Sequence, residues 1–141
     1  DFMEPSIKET IAELGVTIID SDDLEKNAYY IPLLNLIILN SQLSDYERKK
    51  ALLHELGHAS LHQENSCLYQ VTQTMHAKME AEAEEYAAKK IVANYIEQVD
   101  SNPEQLNYLD FIAENELNPY LSVKVQKWFT ETLNFPNQKA L

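Results

Sequence analysis

The order of hydrophobic patterns along the chain predicts an α+β fold, with a small three-stranded sheet at the N-terminal end and helices after it. Short β-branched or apolar runs fall before residue 41, and apolar stripes of helical period follow from Ala51 onward. No internal repeat or linker-like stretch interrupts the 141 residues, of which 45% are hydrophobic and 24% charged. That size and balance predict one globular domain over residues 3–141. Asp1 and Phe2 precede Met3, a natural start residue, and are left out of the functional reading.

Pro5 and Ser6 open a first helix, Ile7, Ile11 and Leu14 line one face of it, and Gly15 stops it. Val16-Thr17-Ile18-Ile19 is β-branched, ends in the polar cluster Asp20 to Asp23, and reads as the first strand. Ala28-Tyr29-Tyr30-Ile31 and Leu36-Ile37-Ile38-Leu39 read as a hairpin. Pro32 cannot donate a ladder hydrogen bond, so it belongs at a strand end, and Leu33 to Asn35 form the turn. The second hairpin strand is the expected centre of the sheet.

Ser44 and Glu47 have the spacing of a capping box, and Ala51, Leu52, Leu53, Leu56, Ala59 and Leu61 carry a helix to about His62. Gln63 to Thr74 is polar and unpatterned and reads as a loop. A long helix rich in Ala, Glu and Lys runs from about His76 to Val99 and is closed by Asp100-Ser101-Asn102-Pro103. Two more helices, about Pro103 to Glu114 and Ser122 to Leu133, are separated by Asn118-Pro119 and make residues 103–135 a helical C-terminal part. The amphipathic stretch from Asp110 through Trp128-Phe129 fits either a core or a docking surface for a protein partner.

With 23 acidic and 11 basic residues the chain carries a formal charge of -12, which leaves no broad electropositive face for a phosphate backbone or an anionic membrane. Direct nucleic-acid binding is therefore not expected. The single cysteine, Cys67, cannot form an internal disulfide, and neither a secretory leader nor an 18-residue apolar run is present in the sequence. A reducing cytoplasm is the expected compartment.

The chemistry lies in His54-Glu55-Leu56-Gly57-His58, an HExxH motif in the middle of the best-defined helix. Residues four apart share a helix face, so both imidazoles can point at one ion while Glu55 is turned to the side. A catalytic zinc site uses three protein ligands and a water, with a carboxylate to take the water's proton. Gly57 inside a helix costs about 1 kcal/mol against Ala, which points to a close approach of something at that spot.

The third ligand has to come from elsewhere. His62 continues the same helical stripe, and three successive ligands on one straight helix would fan along it and not enclose an ion, so His62 is read as a supporting or packing residue. Position 61 is Leu61, so the HExxHxxGxxH extension is absent and an acid on the next helix is expected. On that helix Met79, Ala83, Ala87, the stem of Lys90, Ile91 and Asn94 define a buried side. Glu80 lies at its margin, Glu82 and Glu84 farther out, and Glu85 nearly opposite, on a solvated face. Glu80 is the expected ligand, and Glu84, one turn on, is placed to hydrogen-bond a ligand histidine's second nitrogen. His76 reads as a surface or capping residue, with a transition-state donor as the alternative, Cys67 as a loop thiol or a small packing residue and not a nucleophile, and Tyr29 and Tyr30 as residues that pack and cap the sheet.

Leu14-Gly15-Val16, the strand segment ending Ile38-Leu39-Asn40, Glu47-Arg48 leading into Leu52-Leu53-His54-Glu55-Leu56-Gly57-His58, and Glu80-Ala81-Glu82-Ala83-Glu84-Glu85-Tyr86-Ala87-Ala88 together resemble the ImmA/IrrE family of zinc metallopeptidases, over about residues 10–95. The resemblance implies a gluzincin-like fold, zinc held by His54, His58 and Glu80, and Glu55 as general base. It also implies a substrate class, since members of that family commonly cleave or inactivate helix-turn-helix repressors of phages and mobile elements. Two positions depart from the common pattern. Glu84 stands where Asn or Asp is frequent, which keeps Glu82 open as an alternative ligand, and Lys90-Ile91-Val92-Ala93 replaces a frequent Leu-Leu-Met-Pro ending.

The expected function is thus that of a cytoplasmic zinc metalloendopeptidase acting on a repressor, with the sheet edge somewhere in residues 28–40 binding substrate as an added strand. The alternative from another class is a zinc-containing module that sequesters a repressor without cutting it. A metal-free toxin-like or antitoxin-like interaction protein fits less well with an intact HExxH.

Overall fold

The computed structural model describes residues 3–62, 73–98 and 107–139. It is a mixed α+β structure in which α1 (Pro5–Leu14), β1 (Thr17–Ser21), β2 (Ala28–Ile31), a 3-10 turn (Pro32–Leu34), β3 (Leu36–Asn40) and α2 (Asp45–Leu61) precede α3 (Gln73–Gln98), α4 (Tyr108–Glu114), a second 3-10 turn (Pro119–Leu121) and α5 (Ser122–Lys139). The chain divides into two compact units, Asp1–Ala87 and Ala88–Leu141, with α3 running from one into the other. No helix among the described residues is long and apolar enough to cross a membrane.

In the first unit, α1 ends as its sequence requires. Gly15 adopts φ 64°, its N–H bonds the Ala12 carbonyl, and the N–H of Val16 reaches back to Ile11 while its side chain is buried. The sheet order is β1-β3-β2. β3 is the centre, as expected, and shows the period of two that one buried face imposes: Ile37 and Leu39 are fully buried. The hairpin partner β2 is antiparallel to it, with Tyr30 opposite Ile37, and β1 joins the other side in parallel, with Ile18 opposite Ile37.

The hairpin connection is a 3-10 turn that starts at Pro32 and closes on Asn35, a non-glycine residue at φ 47°. The Asn35 side chain holds three elements together: its Nδ2 donates to the Leu14 carbonyl at 2.9 Å, and its Oδ1 accepts from the Tyr30 hydroxyl at 3.0 Å. Asn tolerates the left-handed region because its short polar side chain bonds locally. Asn35→Ala is expected to destabilise the protein by about 2–4 kcal/mol, adding roughly 1 kcal/mol of left-handed strain to two lost hydrogen bonds of roughly 1 kcal/mol each. Urea denaturation checks this, and Asn35→Gly, which removes the strain but not the lost bonds, should recover only part of the loss.

Ser44 caps α2 by accepting the Glu47 N–H at 3.2 Å, and the Glu47 carboxylate accepts the Ser44 hydroxyl at 2.9 Å. The helix lays Leu52, Leu53, Leu56 and Ala59 against the sheet and adjoining core, all essentially inaccessible to water. Arg48 pairs with Asp20 and Lys49 with Glu4, which fix the first turns of α2 to β1 and to the start of α1.

Several boundaries differ from the sequence reading. α3 begins at Gln73, three residues before His76, so Gln73 and Thr74 are helical and not loop; the rest of the expected loop, residues 63–72 including Cys67, lies outside the described residues. Helix α4 starts at Tyr108, where Asn107 accepts the N–H groups of Leu109 and Asp110. Its expected opening at Pro103 lies outside the described residues. α4 ends with Glu116 at φ 54°, an acidic residue in the position glycine usually fills. α5 runs past its expected end at Leu133 to Lys139.

The second unit builds its own core. Tyr95, Phe111 and Phe129 pack edge to face, with ring centroids 4.9 Å (Tyr95–Phe111) and 5.1 Å (Phe111–Phe129) apart. Phe111, Ile112, Val125, Trp128 and Phe129 are buried, which resolves most of the amphipathic C-terminal stretch as core, whereas Val123 is 74% exposed.

Candidate metal centre

The HExxH segment occupies the third and fourth turns of α2, with His58 in the helix's last turn. The Leu52, Leu53 and Leu56 face is sunk into the core, which leaves His54, Glu55 and His58 half-buried at the edge of the contact with α3. Gly57 sits where the two helices touch. A Cβ there would lie 3.0 Å from Ala83 Cα, 3.1 Å from the Ala83 carbonyl oxygen and 3.2 Å from Tyr86 Cβ. The helical glycine is thus explained by backbone approach, and the approach sets the register: Ala83 rests on Gly57, and Glu80, nearly one turn earlier on α3, faces the two histidines.

Glu80 receives both. His54 Nε2 lies 2.9 Å from Glu80 Oε2, and His58 Nε2 lies 3.0 Å from Glu80 Oε1. One ligand atom from each of the three falls within 4.8 Å of the others, a convergence that can hold a single divalent ion. Glu82 points elsewhere: its Oε1 is 3.5 Å from His62 Nε2.

The protonation states suit that use. Burial holds His58 below the usual imidazole range, against the pull of Glu80, which favours the neutral ring a metal needs. Burial pushes the Glu80 carboxyl up, but the hydrogen bond from His54 and the nearby charges of His58, His54 and His76 outweigh it and leave Glu80 below the usual carboxylate range. Burial first, and then the charge of Glu80, push Glu55 up to about 7 against the opposing influence of Lys26 and of the Tyr30 backbone N–H, which it accepts. A carboxyl poised near neutrality both takes and returns a proton readily.

His62 lies just past the last turn, where α2 has ended, so it does not fan along the helix; its Nδ1 meets His58 Nδ1 at 3.0 Å. The contact to a ligand histidine's second nitrogen that sequence reasoning sought from Glu84 is therefore made at His58 by His62. His76, 70% exposed, stands one turn before Glu80 with Nε2 3.9 Å from Glu80 Oε1. Glu85, expected on a solvated face, is half-buried, as is Glu84. Tyr30 caps the sheet through Asn35 and also supplies the backbone N–H to Glu55, a contact that no residue pattern announces. The pairing of His62 with Glu82 was also missed, although the His58–His62 spacing at a helix end was a signal for part of it.

Gly57→Ala tests the close approach. Alanine is the better helix former by about 1 kcal/mol, yet overpacking against a backbone typically costs about 1–3 kcal/mol, so thermal stability is expected to fall and metal affinity to fall with it as Glu80 is displaced. Melting curves and zinc titration of the variant check this; a variant at least as stable as the wild type with unchanged affinity would show that the helices are free to separate.

Compared with protein-family models, residues 11–126 match Peptidase_M78, described as the IrrE N-terminal-like domain. No curated protein and no solved structure matches the chain.

Proposed function

The chain belongs to the IrrE N-terminal-like peptidase family, and from that premise we propose that it is a zinc-dependent metalloendopeptidase that cuts a helix-turn-helix repressor of a phage or mobile element. The observation that carries the metal part of this reading is the convergence of His54, His58 and Glu80 within 4.8 Å. Two neutral imidazoles and a carboxylate are the donor set of many catalytic zinc sites, so the residues present fit the ion. Bound there, zinc would supply Lewis acidity that acidifies water and polarises the scissile carbonyl.

Glu55 then has a defined task. It accepts a proton from the attacking water at a carboxylate oxygen and passes it to the leaving amine nitrogen. The N–H of Tyr30 holds that carboxylate against β2. Since β3 is interior to the sheet, β2 (Ala28–Ile31) is the edge strand within residues 28–40, and its Tyr30 N–H is the one that Glu55 accepts. Substrate backbone added along β2 would place a peptide bond near the site. The charge of -12 favours encounter with a basic DNA-binding surface, and the cytoplasm is the setting this reading requires.

The test is incubation of the zinc-loaded protein with a panel of helix-turn-helix repressors, read by mass spectrometry. Cleavage predicts two fragments whose masses together equal the repressor plus one water. An intact repressor held in a stoichiometric complex would favour the sequestering module instead.

A further inference from the structure

His58 needs its Nε2 lone pair for any ion shared with Glu80, and a neutral imidazole that offers Nε2 carries its proton on Nδ1. That Nδ1 is 3.0 Å from His62 Nδ1, so His62 must accept there and carry its own proton on Nε2. His62 Nε2 is buried, His62 as a whole is 6% exposed, and among the described residues no hydrogen-bond partner meets this nitrogen; the Glu82 carboxylate stands 3.5 Å away, at ion-pair distance but outside good hydrogen-bond geometry. A buried N–H is costly to leave unpaired, and Glu82, with a side chain 43% exposed, has room to move toward it.

We propose that Glu82, His62 and His58 form a directional relay in which Glu82 and His62 are positioning residues that hold His58 in its ligand-ready tautomer. The direction matters because the opposite one, with His62 donating from Nδ1, would put the His58 proton on Nε2, where it bonds Glu80 at 3.0 Å and blocks ligation. Glu80, at the near end, pulls toward the opposite direction; a carboxylate at the far end opposes that pull and favours the productive one, since it accepts only from a proton on His62 Nε2. The inference rests on the proposal that His58 Nε2 binds zinc, and it assigns roles to two residues that touch neither metal nor substrate.

The experiment measures zinc affinity by competition with a chromophoric chelator in wild type, His62→Phe, His62→Gln and Glu82→Ala. Loss of such a supporting contact typically weakens metal binding by about 10- to 100-fold, so His62→Phe is expected to fall in that range while still reaching wild-type zinc stoichiometry. His62→Gln, whose amide oxygen can accept the same bond, should recover a substantial part, and Glu82→Ala should show a smaller loss of the same sign. Nitrogen-15 spectra of the zinc-loaded wild type should show the His62 proton on Nε2 and its Nδ1 accepting from His58 Nδ1–H, whose own position zinc on Nε2 already fixes. Unchanged affinity in His62→Phe, a loss that His62→Gln does not recover, or a His62 proton on Nδ1 would overturn the relay and leave the zinc site standing. Failure of the wild type itself to bind zinc would overturn the underlying metal assignment and the relay with it.

Discussion

Glu55→Gln is expected to lower the rate of peptide cleavage by at least about 10²- to 10⁴-fold, the usual contribution of a general base, with zinc content unchanged. The substitution keeps the shape of the side chain and an oxygen that can accept the Tyr30 N–H, but removes the basic oxygen that takes the proton from water. It should not harm the fold. Burial and the neighbouring Glu80 already make the Glu55 anion costly, so a neutral amide relieves the site, and the metal-free variant should melt no lower than the metal-free wild type. The loss should appear in kcat with KM nearly constant, since Glu55 acts on the water and not on substrate binding. A variant that cuts at the wild-type rate would refute the role.

Glu80→Ala is expected to strip the metal. His54 and His58 sit one turn apart on α2 and alone present two neutral nitrogens to an ion; the anion that closes the set comes from α3. After removal of excess metal, elemental analysis should find about one zinc per chain in the wild type and almost none in Glu80→Ala, because a catalytic zinc is commonly held by three protein ligands. Glu82→Ala should keep its zinc at saturation, since the Glu82 carboxylate faces His62 and not the two ligand histidines. Loss of zinc with Glu82→Ala and its retention with Glu80→Ala would reverse the assignment.

Where sequence and structure agree, a local rule decides the outcome. Gly15 ends α1 because glycine adopts φ 64° without strain, Ser44 starts α2 because its hydroxyl meets an orphan N–H, and β3 is central because its run Leu36-Ile37-Ile38-Leu39 is apolar throughout. The convergence of the histidine pair at the candidate metal centre was legible for the same reason: a spacing of four on a helix fixes a shared face. The choice of Glu80 was less so, since helical periodicity places Glu80 at a margin but cannot say which turn of α3 meets α2. Gly57 against Ala83 makes that choice, through a contact between residues far apart in sequence. Parallel pairing of β1 with β3 is equally nonlocal and leaves no turn signature to read. The C-terminal stretch, which fitted either a core or a docking surface, is mostly core because Phe111 and Phe129 pack with Tyr95, a partner on another helix.

In the proposed site, two imidazoles and one carboxylate of this chain hold a zinc ion. X-ray absorption at the zinc K edge of the loaded protein tests it without reference to any substrate. The expected spectrum has only nitrogen and oxygen neighbours at about 2.0–2.2 Å, with the outer-shell scattering of two imidazole rings. A sulfur neighbour at about 2.3 Å, which would bring in Cys67, or the scattering of fewer than two imidazoles would contradict it.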